Sequence, residues 1–299
     1  LKKAISIGNF DAVHKGHKKL IVAAREAVGP EGVVEMWSFD PPPVSIINPD
    51  VEIHQITTFE QREKLLMESG ANIVRKVVPT KEMLSLSPKS FIEGIMSDHK
   101  PDFIVEGEGF RFGKNRAGTT GCLVRFERQF DFKFVQVSSF EIELKDKIIR
   151  ASSSLVRTLL QDGKLDEVYA ILGRHYRLGG IVERGDARGR TIGVPTANLG
   201  QIQTMLPKEG VYAGYATIQN KKYAASLSIG TKPTFGKNTT AIEVHLIGFD
   251  GLVGHYNWPL EVTMTRWLRD QKQFDSIDKL KIAIDKDIEV STKMIESNI

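Results

Sequence analysis

From Ala4 to about Val137, short apolar runs alternate with longer stretches in which apolar positions recur every three or four residues. AISIG, VVEMWSF, NIVRKVV and DFIVEG are of the first kind; HKKLIVAAREAV, FEQREKLLMES and SFIEGIMSD are of the second. A short apolar run bounded by turn residues reads as a strand, and a period near 3.6 as an amphipathic helix. Strand, helix, strand, helix in sequence predicts a parallel, doubly wound α/β sheet with helices on its faces. Such sheets bind ligands beyond the carboxyl ends of their strands, which directs attention to GNFDAVHKGH, directly after AISI.

After Ala151 the pattern changes twice. SSSLVRTLLQDGKLDEVYAILG predicts helix, with Leu155, Leu159, Leu160, Val168, Ile171 and Leu172 as its apolar positions and a break at Gly163. This is read as a connector. From Tyr176 onward, RLGGIVERG, GVYAGYATI, KKYAASLSIG, AIEVHLIGF and PLEVTMTRWL are short β-prone runs separated by Gly, Pro and Asn. Closely spaced short strands predict a small antiparallel β-barrel. Ile277, Leu280, Ile284 and Ile288 then recur at helical spacing behind Asp275 or Ser276 as N-cap, so a C-terminal helix should pack on the barrel. The expected division is 1–173, connector helices included, and 174–299.

Composition narrows the partners. With 299 residues the chain exceeds one typical domain. Lys plus Arg number 41 against 37 Asp plus Glu, a formal +4 spread along the chain, which suits anionic small molecules better than duplex DNA. No nucleic-acid partner is expected. The single cysteine, Cys122, excludes an internal disulfide and a multi-cysteine metal site, and points to a reducing compartment, with the cytoplasm as the expected location. No apolar run reaches the ~20 residues of a membrane span, and LKKAISIG has too short an apolar region for a secretory signal, so no membrane partner is expected. Because the chain begins at Leu1, a few residues are expected to precede it.

In GNFDAVHKGHKKL, Gly8 to Leu20, a helix beginning near Lys15 would carry His14 and His17 on one side of its N-terminus, with Gly16 keeping the first turn free of bulk. Helix N-termini attract anions through unsatisfied N–H groups and the helix dipole, and imidazoles there can donate to phosphate oxygens. Asn9 and Asp11 are placed to contact ribose, base or metal. Two other readings stay open: a zinc site from Asp11, His14 and His17, for which no HExxH pattern or fourth ligand is visible, and two helix-surface histidines without function.

An apolar strand, GxFD, HxGH and a basic amphipathic helix, in that order, resemble the HxGH nucleotidyltransferases, and within them the bacterial bifunctional riboflavin kinase/FAD synthetases. The resemblance covers nearly all of the chain and includes FDPPP (Phe39 to Pro43), EGFRFGKNRAG (Glu108 to Gly118) and SSSLVR (Ser152 to Arg157). It implies that His14 and His17 act in adenylyl transfer, and that Ser152, Ser153, Ser154 and Arg157 hold ATP phosphates. The bland counterpart is a serine N-cap and a surface arginine. Arg111, Lys114 and Arg116 would hold nucleotide or line a solvated loop. The chain departs from the usual pattern at Ala12 (commonly FDGVH), Pro42 (commonly FDPHP) and Gly109 (commonly Asp or Asn before FRFG).

In the second half, GRTIGVPTANLG (Gly189 to Gly200) resembles the flavokinase motif, with Pro195, Thr196, Ala197 and Asn198 as its core. The Thr196 hydroxyl and Asn198 amide are hard oxygen donors suited to Mg²⁺ on ATP phosphates. In AIEVHLIGFDG, strand alternation puts Glu243 and His245 on one side; the resemblance makes Glu243 the base that accepts a proton from the attacking hydroxyl, while His245 is left structural. GVYAG and GTKPTFG match segments that cover the substrates. Tyr256, Arg269 and Asp270 align near the flavin end, with Gln271 where Glu is common. Trp267, Phe235 and Tyr256 either shelter a flavin ring or belong to the core. Neither GTKPTFGKN nor EGFRFGKN is a Walker A loop, and nothing suggests adhesion through Arg184-Gly185-Asp186.

The resemblance therefore implies a monomer or weak homo-oligomer that uses ATP and Mg²⁺ to convert riboflavin to FMN and FMN to FAD. Two rivals remain: a riboflavin kinase with a degenerate N-terminal nucleotide-binding module, and a flavin-binding protein without turnover.

Overall fold

The protein is described by a computed structural model covering residues 1–144, 147–185, 193–234, 237–249 and 255–296. It divides into two compact units, Leu1–Ser153 and Ser154–Ile299.

The first unit is built on five parallel strands, β1 (Lys3–Gly8), β2 (Val33–Phe39), β3 (Ile73–Val77), β4 (Phe103–Gly107) and β5 (Lys133–Val137), in the order β3-β2-β1-β4-β5. Ala4, Ile5, Ser6 and Ile7 of β1 are all buried, as a central strand covered on both faces requires. One core face joins Ala4, Val34, Met36 and Val105 to Leu20, Ile21, Ala24 and Val28 of helix α1 (Lys15–Val28). The other joins Ile5, Ile7 and Ile104 to Ile92, Ile95 and Leu123. Ile92 and Ile95 lie on α5 (Pro88–Asp98) and Leu123 on α6 (Thr120–Phe130). The chain also forms α2 (Pro43–Ile47), α3 (Phe59–Glu68) and α4 (Lys81–Ser85) before α5. A hairpin of β6 (Glu141–Leu144) and β7 (Lys147–Arg150) follows β5.

The chain order reverses direction across the sheet between β1 and β4, which makes their carboxyl ends the switch point. Their backbone ladder is confined to Ala4↔Phe103 and Ile5↔Ile104. Beyond it, the Ile7 N–H donates to the Glu106 carboxyl at 2.5 Å, and burial pushes that carboxyl well above the usual carboxylate range. A side chain thus takes over from the ladder at this end of the two strands.

The second unit begins with α7 (Ser153–Gln161) and α8 (Leu165–Leu172), separated at Gly163 as expected. These helices were expected to group with the first domain. They cluster instead with the barrel, because the stripe Leu165, Val168, Ile171 and Leu172 is buried where α8 meets β8 and β13. The barrel is closed and antiparallel: β8 (Tyr176–Glu183), β9 (Ala197–Gly200), β10 (Gly210–Ile218), β11 (Lys221–Thr234), β12 (Lys237–Leu246) and β13 (Pro259–Arg269) in the order β10-β11-β12-β9-β8-β13. Ile242, Val244 and Leu246 point inward while Glu243 and His245 alternate outward. The Ser276 hydroxyl accepts the Lys279 N–H to cap α9 (Ile277–Glu296), which packs against β10 and β11. Arg269 grips Asp287 of α9 through both carboxylate oxygens at 2.7–3.2 Å.

Candidate functional site

In the first unit the loop from β1 to α1 is held in an unusual shape. Phe10, Ala12 and Val13 have φ of +47°, +75° and +42°, in the left-handed region that L-residues avoid at a cost of roughly 1–2 kcal/mol each. The surroundings impose it. Both Asp11 carboxylate oxygens accept the Ile56 N–H at 3.0 and 3.1 Å, and one also accepts the Thr57 N–H and hydroxyl at 3.0 Å. Thr57 Oγ1 accepts the Ala12 N–H at 3.1 Å, and the Ser153 hydroxyl donates to the Asp11 carbonyl at 2.7 Å. Asp11, expected to contact ribose, base or metal, uses its carboxylate to brace this loop. Ala12→Gly should stabilise the protein by roughly 0.5–1 kcal/mol, because glycine relieves the left-handed strain by more than it costs in chain entropy. Urea denaturation reads the sign; a less stable glycine variant would show that the loop carries no strain at Ala12.

Behind the loop lies a residue that sequence reasoning missed. Arg62 of α3 is 1% exposed and donates to the carbonyls of Asn9, Phe39 and Thr57, to the Ser38 hydroxyl and to Gln55 Oε1, all at 2.8–3.4 Å. It also lies 3.7 Å from Asp40. Desolvation draws its pKa down against the opposing pull of Asp11, Asp40 and Glu60, yet a guanidinium remains charged at any physiological pH. Arg62 therefore ties together the segments leaving β1 and β2, and the Asn9 side chain stands exposed above the anchored carbonyl.

His14 is the buried N-cap of α1, and its Nδ1 accepts the His17 N–H at 3.4 Å. The two imidazoles stack with centroids 3.6 Å apart and planes 20° from parallel, while Phe10 meets His17 edge-on at 5.3 Å. A Cβ on Gly16 would lie 3.0 Å from the His14 ring, so the third residue of HKGH is glycine for a packing reason. With Nδ1 accepting, neutral His14 carries its proton on Nε2. The result is a pair of pre-packed imidazoles at the positive end of a helix. Among the described residues no group of three or more His, Cys, Asp or Glu could hold a metal ion, so the zinc reading finds no support.

The remaining expected residues differ in exposure. Ser152 and Ser153 are half-buried; Ser154 is exposed and Arg157 half-buried further along α7, in the second unit. Arg111, Lys114 and Arg116 are exposed on the segment after β4. Pro42 is buried as the N-cap residue of α2. Gly109 has the Arg150 guanidinium 3.1 Å from where its Cβ would be, so a cationic group occupies the space of the side chain it lacks.

In the second unit, register does what spacing along the sequence does not reveal. Glu183 of β8 is opposite Asn198 of β9, Asn198 is opposite Glu243 of β12, and Glu243 is opposite Ser228 of β11. Directly paired residues share a face, so the four form one polar row on the outside of the barrel. A Cβ on Gly185 would lie 2.0 Å from Asn198 Nδ2, so backbone is pressed against that amide. Gln271 Nε2 donates to the Ser228 hydroxyl at 2.7 Å, at the end of the row. Thr196 is half-buried just ahead of β9, and His245 Nδ1 is 2.7 Å from the Pro195 carbonyl. Tyr256 is 41% exposed, free of the core. Trp267 is half-buried under the Lys208 ammonium at 4.8 Å. Arg269, expected near a flavin, spends its charge on Asp287. Phe235, and Gly189 to Ile192 of the PTAN-bearing stretch, lie outside the described residues.

Comparison with known proteins finds relatives for both units. Residues 1–153 match the FAD synthetase family model and residues 172–295 the riboflavin kinase family model. A bifunctional riboflavin kinase/FMN adenylyltransferase from Buchnera aphidicola subsp. Schizaphis graminum is 32% identical over 97% of this chain and 93% of its own length. The chain belongs to the bifunctional riboflavin kinase/FMN adenylyltransferase family. Members from Bacillus subtilis (32% identical, 96% of this chain, 90% of theirs) and Escherichia coli K12 (30%, 95% and 90%) agree. In structure, this member of the family resembles a crystal structure described as a macrolide-efflux protein from Streptococcus pneumoniae, at 29% identity and TM-score 0.87 over 97% of this chain and 94% of that one. Among the described residues of this chain no helix is long and apolar enough to cross a membrane.

Proposed function

We propose that this chain makes FAD in two steps: it transfers phosphate from ATP to the 5′-hydroxyl of riboflavin, giving FMN, and transfers AMP from ATP to FMN, releasing pyrophosphate. The observation that carries the reading is the family match across both units, each of which keeps its own polar constellation. It favours the bifunctional enzyme over a kinase with a degenerate first module. Both reactions depend on positioning and charge neutralisation and need no covalent intermediate.

In adenylyl transfer, His14 and His17 donate to ATP phosphate oxygens as charge develops on the departing pyrophosphate. Asn9, Arg111, Ser152 and Ser153 hold the nucleotide; Ser154 and Arg157 join them on the strength of the family resemblance. Asp11 and Arg62 keep the loop in shape.

In phosphoryl transfer, Glu243 accepts the proton of the riboflavin hydroxyl as its oxygen attacks the γ-phosphorus. The row of oxygen donors fits a hard cation: the Asn198 amide beside Glu243 and Glu183, with the Thr196 hydroxyl two residues ahead of Asn198 and Gly185 backbone pressed against the amide. Thr196 and Asn198 would hold Mg²⁺, which when bound neutralises charge on the ATP phosphates. Tyr256 borders the flavin end, and Arg269 supports it by fastening β13 to α9. The same reading includes cytoplasmic residence, where ATP and flavin meet, a monomer or weak homo-oligomer, and no nucleic-acid partner.

The test is direct. Flavin-free protein incubated with riboflavin, ATP and Mg²⁺ should yield FMN and then FAD on chromatography, with pyrophosphate released in the second step. His17→Ala should lower FAD formation from FMN by ~10²–10³-fold, the usual loss for one phosphate-stabilising donor, and leave FMN formation intact. FMN accumulating in the wild type with no FAD would restore the degenerate-module reading.

A further inference from the structure

Strand β9 is short, and its ladder to β12 consists of Asn198↔Glu243 and Ala197↔Val244. One more rung in that antiparallel register would set Thr196 opposite His245. No backbone pair is made there. Instead the His245 ring reaches past Thr196 to the Pro195 carbonyl, with Nδ1 at 2.7 Å. A carbonyl only accepts, so Nδ1 carries the proton and the imidazole acts as the last rung. Pro195 has no N–H and a fixed φ, so its carbonyl is the group through which this turn can be tied down. His245 lies on the outward face with Glu243, half-buried, outside the barrel core.

We infer that His245 is a positioning residue for the cation end of the kinase site. It rests on the reading of Thr196 and Asn198 as Mg²⁺ donors. By fastening the Pro195 carbonyl to the strand that bears Glu243, it sets the Thr196 hydroxyl and Asn198 amide at a fixed distance from the general base. Without it, Thr196 hangs on a turn with one end loose, and the donor pair is ordered only when the cation binds. Groups that orient a metal ligand from behind typically affect metal affinity by ~10–100-fold.

The experiment uses the full chain and Mn²⁺ as the probe, counting free Mn²⁺ by electron paramagnetic resonance in the presence of ADP. His245→Ala should weaken one class of Mn²⁺·ADP site by ~10–100-fold and raise the Mg²⁺ needed for half-maximal FMN formation in parallel. The first unit's nucleotide site and FAD formation from FMN should be unchanged, which provides an internal standard. His245→Asn, whose amide N–H falls near the position of Nδ1, should recover most of the affinity. His245→Gln, whose amide reaches further, should behave like alanine, and it replaces alanine in the comparison if that variant does not fold. Unchanged Mn²⁺ binding in His245→Ala, or folded asparagine and glutamine variants that behave alike, would overturn the inference. A wild-type chain that binds Mn²⁺·ADP but makes no FMN would sink the kinase reading itself, and the Mn²⁺ titrations would still decide what His245 does.

Discussion

Glu243→Gln will leave riboflavin unphosphorylated while FMN is still converted to FAD. The substitution is nearly isosteric, so the row Glu183, Asn198, Glu243, Ser228 keeps its shape, and the outward position spares the core. What is lost is the ability to accept a proton as the hydroxyl attacks. A positioned general base contributes ~10²–10⁴-fold, and FMN formation should fall by that factor. Chromatography of riboflavin, FMN and FAD in paired reactions, one started from riboflavin and one from FMN, separates the two activities. A folded variant that loses both would contradict the assignment of one activity to each unit; one that keeps kinase activity would remove Glu243 from the chemistry.

The second large effect concerns stability and activity together. Arg62→Met keeps the length and apolar stem of the side chain but deletes every hydrogen bond made by its guanidinium. Three carbonyls, the Ser38 hydroxyl and Gln55 Oε1 lose a donor in a site from which water is excluded, and Asp40 loses one of two cationic neighbours, the other being Lys76. Removing one partner of a buried charged network costs about 3–5 kcal/mol, so the first unit should be destabilised by that amount. The Asn9 and Phe39 carbonyls are among the groups released, and FAD formation should drop sharply even below the unfolding midpoint. FMN formation should persist. Urea unfolding followed by tryptophan fluorescence, run beside the two flavin assays, checks both parts. An Arg62→Met protein of wild-type stability would mean the network is replaceable by packing.

The fold was legible because both halves state their periods openly. AISI and VVEMWSF read as strands alternating with amphipathic helices, and strand alternation already put Glu243 and His245 on one side with Val244 and Leu246 on the other. The site was legible where chemistry is local in sequence, as in His14, Gly16 and His17. It was not legible where it depends on pairing across the fold. Nothing in IVERG marks Glu183 as the neighbour of Asn198, since that adjacency comes from β8 and β9 meeting in the barrel. Arg62 in FEQREKL looked like one more charge on a helix surface, and its burial follows from where α3 lands. Asp11 was read for its charge, whereas the segment 56–57 that claims it lies 45 residues or more away. Ala12 stands where the resembling family commonly has glycine, and only the backbone shows that it sits at φ +75°.

The alternation along β12 also limits how this kinase can change. Residues that fill the barrel occupy even places on this strand and the outward Glu243 and His245 odd ones, so packing and the proposed chemistry share a single reading frame. Gaining or losing one amino acid between Ile242 and Leu246 would exchange the two sets, turning Glu243 inward and an aliphatic side chain outward. A change of flavin or nucleotide preference is therefore easier to make in the loops than by altering the length of this strand.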